Sequence, residues 1–145
     1  MINRNDLELI VAELLKYDSV ACGHVAPTTV ACLMLDFMEF FNTKSVALVM
    51  NGIHISVRDV LSWAKFINLY VPQSKQALFA AVVHGAHMML LDGLGVGLLI
   101  PRAKILEMKK ECVDFLLSKC PEDDDEAENI RKTLVFYHGT ESCRV

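Results

Sequence analysis

The chain is poor in the features on which most chemistry is built. Its five cysteines, at 22, 32, 112, 120 and 143, are odd in number, and no pair has the spacing of a zinc clip or a redox dithiol. They read as buried thiols of a reducing compartment. The net charge is −4 and the basic residues are scattered, which excludes the clustered basic stripe of a nucleic-acid binder. Lys104, Lys109 and Lys110 form one small group, but Glu107 and Glu111 sit among them. The opening "MINRNDLELI" is charged and lacks the apolar stretch of a signal peptide. The closing "FYHGTESCRV" is polar, so no stable membrane anchor is expected. No segment repeats, and none alternates with period two between turns, as strands do. Tryptophan occurs once, at Trp63.

What the chain does have is hydrocarbon. Apolar residues make up 53% and charged residues 22% of its 145 positions. One domain is expected at this length, large enough to stand without a disulfide or a metal. The apolar excess then fills a large core or is kept for a partner. Ala77 to Ile100 has the length of a membrane span, which takes about 20 residues. It also holds His84, His87, Asp92 and four glycines, so it reads as a buried helix and a turn.

The pattern is helical throughout. In "NDLELIVAELLKY" Leu7, Ile10, Val11, Leu14 and Leu15 keep three-four spacing. Asn5 with Glu8 resembles a capping box, giving a helix from about Asp6 to Val20 that stops near Gly23. Pro27-Thr28 opens a second helix, broken only by Asp36 and Glu39. "SVALVMNG" is a short apolar segment closed by Asn51-Gly52. Ser56 with Asp59 caps a third helix, Val57 to Val71, stopped by Pro72. Ser74 caps the most apolar helix, which should be central and end at Gly93. Pro101 suits the first turn of the next, whose buried face carries Ile105, Met108, Cys112, Phe115 and Leu116. The expectation is all-α, six to eight helices, with residues 1–120 as the helical domain. Residues 121–145 then form an acidic loop, "EDDDEAE", and a partly disordered tail that includes "NIRKTLVFY".

Candidate chemistry is thin. His84 and His87 share a helix face, but a metal site needs three or four ligands, so no metal and no cofactor is expected. "GLGVG" follows a helix and lacks the spacing of a dinucleotide fingerprint. Cys22 and His24 are neighbours in sequence without a third orienting group, so an enzyme is not expected.

The stretch "DVLSWAKFI" carries a resemblance. The first homology motif of the Bcl-2 family reads Asp-Gly-Val-Asn-Trp-Gly-Arg-Ile. Aligned on Trp63, the chain matches at Asp59 and Trp63, has Ala64 for glycine and Lys65 for arginine, and departs at Val60 and Ser62. The order and length of the elements from residue 5 to 118 are similar to that family as well. The second motif's tryptophan is absent, and Ala31 and Leu35 depart from the family's own death-motif helix. The chain resembles viral members, such as those of iridoviruses.

The resemblance implies a Bcl-2-like helical bundle with a central apolar helix hairpin. It implies an inhibitor of apoptosis that sequesters pro-apoptotic BH-3 helices, such as that of Bim, in an apolar groove. Lys65 would meet the ligand's Asp as a point charge rather than an arginine fork. Ala64 would let the ligand backbone approach, and Val60 would exclude some ligands. Met34, Phe37, Met38, Phe41, Val49, Met50, Val57 and Leu61 would form the walls. An uncovered groove of this kind invites a homodimer. A cytoplasmic protein of the host cell, recruited to mitochondria by its partners, is implied. The competing reading is a helical adaptor or scaffold with an unrelated partner, in which Lys65 merely snorkels at the rim of a buried helix.

Overall fold

The computed structural model describes residues 3–47, 54–91 and 101–119. Every regular element among them is helical. They are α1 (Arg4–Leu14), α2 (Pro27–Ala47), α3 (Val57–Leu69), α4 (Lys75–Ala86), a π-helical turn (His87–Leu91) and α5 (Arg102–Lys119). The all-α expectation holds at that level. The described helices are fewer than expected partly because α2 runs on to Ala47, into the start of "SVALVMNG". Asn51-Gly52, Asp92, Gly93 and the 121–145 tail lie outside the described residues.

Local capping sets most of the starts. Asn3, not Asn5, caps α1, its side chain accepting the Asp6 N–H at 2.9 Å. Ser56 and Asp59 form the full reciprocal box at α3, with Asp59 accepting from the Ser56 N–H at 2.9 Å and Ser56 Oγ accepting from the Asp59 N–H at 3.2 Å. Ser74 accepts the Ala77 N–H at 3.0 Å to open α4.

The end of α1 is set from a distance. It stops at Leu14, well short of the expected Val20. Asn68, near the end of α3, donates to the Leu14 carbonyl at 2.7 Å and accepts the Lys16 N–H at 2.8 Å. One amide thus satisfies both a carbonyl the helix end leaves orphaned and a donor beyond it. Asp18 then accepts from the Val20 and Ala21 N–H groups at 3.0 and 3.2 Å, a turn that turns the chain out of helix.

The core is one continuous cluster. Within it α2 packs against α1, α3 and α5, and α4 against α3 and α5. Trp63 is its largest fully buried side chain. Its ring meets Phe37 edge-on at 5.5 Å, and Nε1 donates to the Val82 carbonyl at 2.9 Å. Gly85 lets α4 come this close, since a Cβ there would sit 2.7 Å from Trp63 Cδ1. The π-helical turn begins two residues later, at His87.

Candidate functional site

The residues singled out in the sequence do not form an open wall. Met34, Phe37, Val60 and Ala64 have no solvent exposure and Phe41 has 2%, so these five are brought together inside the core. Met38 and Leu61 are half-buried, packed against that core, while Val57 and Lys65 are exposed. Val49 and Met50 lie outside the described residues. Lys65 therefore stands in solvent on a helix whose opposite face carries Trp63 and Ala64 into the interior.

The candidate nucleophile is closed off as well. Cys22 is fully buried, and its thiol lies 3.4 Å from the Pro72 carbonyl rather than on His24. Burial raises its pKa above the ordinary thiol value, so the reactive thiolate is disfavoured. Cys112 is held more firmly still, its pKa pushed up to about 12 by burial first and by Glu111 second. Among the described residues no group of His, Cys, Asp and Glu could hold a metal ion. None of the described helices is long and apolar enough to cross a membrane.

Two surfaces stand out among the described residues. The first is an apolar edge where α3 ends beside α4. Leu69 is 81% exposed, Val71 65% and Met88 57%, with Tyr70 and Met89 exposed beside them. Tyr70 organises this edge. Its ring packs on Phe66 at 5.4 Å and stacks on His84 at 6.4 Å, nearly parallel. Met88 and Met89 are exposed in the π-helical turn that follows α4. The chain leaves α3 through Val71 with φ of +47°, a costly conformation for a β-branched residue. His84 is half-buried, and burial lowers its pKa, so its imidazole is neutral at physiological pH.

The second surface is a trench along α2. One part, a cleft of about 620 Å3, is floored by Phe40 and Phe115, stacked at 4.3 Å. A further cleft of about 410 Å3 continues it past Thr28, Cys32 and Leu33, and Asp36 and Lys119 line both. Lys44 sits 5.8 Å over the Phe40 ring and bridges to Glu111 at 2.8 Å. Lys119 sits 5.3 Å over Phe115. On the other rim Arg4 serves three carboxylates: Asp36, Glu39 at 2.8 Å and Glu8 at 3.4 Å.

Sequence reasoning missed both surfaces. Leu69, Tyr70 and Val71 were absorbed into the expected helix, although three adjacent apolar residues before Pro72 cannot all face one core. Phe40 and Phe115 are too far apart in sequence for their pairing to be read from it.

Comparison with known proteins supplies the family. The model described as the Midasin AAA+ ATPase lid domain matches residues 3–92, from the cap of α1 to just past the π-helical turn. Midasin of Dictyostelium discoideum is 31% identical over 94 residues, 64% of this chain. The matched stretch is only 2% of that protein's length. No solved structure matches. These matches overturn the Bcl-2 resemblance and all that hung on it: the apoptosis inhibitor, the viral origin, the Bim-like ligand and the groove-mediated homodimer. They lend no added support to an adaptor with an unrelated partner. The resemblance misled for a physical reason. Asp59 is where it is because a capping box needs an acid at that position, and Trp63 is where it is because one turn later the helix faces the core.

Proposed function

Since the chain belongs to the midasin AAA+ ATPase lid domain family, we propose that it is the helical lid of such an ATPase and not a catalyst on its own. The family match across α1 to α4 and the π-helical turn carries this reading. The composition supports it: no Gly-x-x-x-x-Gly-Lys-Ser/Thr run exists in the 145 residues. Without that loop the chain lacks the usual cradle for nucleotide phosphates, and hydrolysis falls to a separate ATP-binding core.

A lid must hold on to the body it covers. The apolar edge of Leu69, Tyr70, Val71 and Met88 suits that contact. Each such side chain, fully buried, contributes about 1.5–3 kcal/mol, set against the several kcal/mol that association costs. A few anchors of this size give a contact that can close and reopen, as lids do. The matched stretch is 2% of the Dictyostelium relative's length, which supports a reading in which other segments of such a protein carry its other activities.

Nucleotide assays test the reading. The chain alone should neither retain nor hydrolyse ATP. Added to a midasin ATP-binding core from which the lid has been removed, it should change the rate of hydrolysis. ATP turnover by the isolated chain, or a core indifferent to it, would overturn the proposal.

A further inference from the structure

We propose that residues 129–137 of this chain, "NIRKTLVFY", seat in the trench along α2. The trench is apolar at its floor, where Phe40 stacks on Phe115, and surplus in negative charge on one rim. There Asp36, Glu39 and Glu8 share the single guanidinium of Arg4. On the other side Lys44 is already paired with Glu111. An occupant should bring hydrocarbon for the floor and positive charge for the Asp36–Glu39 rim.

The segment has both. Ile130, Leu134 and Tyr137 fall at the spacing of one helix face. Arg131 and Lys132 are its two charges, and both are positive. Its tether includes the acidic run "EDDDEAE", which must stay in solvent away from the Asp36–Glu39 rim, but it is long enough. Lys119, the last residue of α5, lines both parts of the trench. From there residues 120–129 reach up to about 33 Å when extended. From Thr28 to Lys44 the α2 wall runs about 24 Å at 1.5 Å per residue, so every point of it is within range. A segment tethered this way meets its site at an effective concentration of about millimolar. That favours the chain's own segment over a second copy at the micromolar level.

The family match ends at residue 92, so this device is separate from the lid reading and stands or falls without it. Hydrogen exchange on the full chain tests it. The amides of 130–137 should exchange at least about tenfold more slowly than an unprotected chain. That protection should vanish in the double variant Arg131→Glu/Lys132→Glu, which leaves the helical core untouched. It should vanish too in Thr43→Arg, which sets a cation and bulk at an exposed point of the trench. Unprotected exchange of 130–137 in the unaltered chain would overturn the proposal, as would protection that survives both variants. So would protection that fades on dilution alongside a dimer mass in light scattering, since the occupant would then be a second copy.

Discussion

Replacing Gly85 with alanine sets two effects against each other, and the structure decides the sign. In an exposed helix the change would stabilise by about 1 kcal/mol, because glycine carries the larger entropy cost. Here the new methyl would lie 2.7 Å from Trp63 Cδ1 and 2.9 Å from both Trp63 Nε1 and Phe66 Cδ1. Carbon atoms prefer about 3.5–4 Å, so something must move by about an ångström. Trp63 has no free direction: it has no solvent exposure, meets Phe37 edge-on and is bonded to the Val82 carbonyl. Overpacking of this kind costs about 1–3 kcal/mol. If the indole gives up its bond, an orphaned buried donor adds about 1–3 kcal/mol. Net of the helix gain, Gly85→Ala should destabilise by up to about 2 kcal/mol if the indole keeps its bond and by about 1–5 kcal/mol if it loses it, which lowers Tm by about 2–4 °C per kcal/mol at this chain length. Urea and thermal unfolding followed by circular dichroism measure it. A variant as stable as the parent, or more so, would refute the close approach of α3 and α4 across Gly85.

Other substitutions read other parts of the fold. Asn68→Ala should cost about 1–3 kcal/mol through two lost helix-end bonds, one part-buried and one exposed, with faster amide exchange confined at first to the end of α1. Cys112, whose folded pKa lies above its ordinary value of 9.0 at about 12, stabilises fully below pH 9 and loses that contribution as pH rises towards 12. The urea midpoint should therefore fall above pH 9, and Cys112→Ala should flatten the fall relative to the parent. His84, with its pKa lowered by burial, has the opposite sign: its contribution is present above about pH 6.5 and lost as the solution is acidified. His84→Gln should weaken that acid dependence in the same titration. Arg4→Gln should cost about 1 kcal/mol or less, because Arg4 and its carboxylate partners are partly exposed, and the difference should shrink in high salt.

Much of the fold was legible because capping is a local code. Ser56 with Asp59, Ser74, Pro27 and Pro72 each mark a boundary within a few residues of where the structure puts it. The failures are the boundaries set by tertiary partners. Asn68 ends α1 from more than fifty residues away, and no local pattern announces it. The π-helical turn at His87–Leu91 is likewise announced by no local pattern. The candidate site fared worse than the fold. Trp63 stands out in the sequence as the single tryptophan, but a buried anchor and a family motif look alike there. Met34, Phe37 and Phe41 could have been core or groove wall, and only burial separates the two. The apolar edge hid in plain view as "LYV", whose side chains cannot all turn inwards once the helix stops at Leu69.

The most direct measurement is a calorimetric titration of the chain into a midasin ATP-binding core stripped of its own lid. A stoichiometric complex is expected, weakened at least about tenfold by Leu69→Asp with Met88→Asp, since each buried apolar anchor is worth more than about 1.4 kcal/mol. No binding, or binding that ignores those two substitutions, would contradict a lid that docks through its apolar edge.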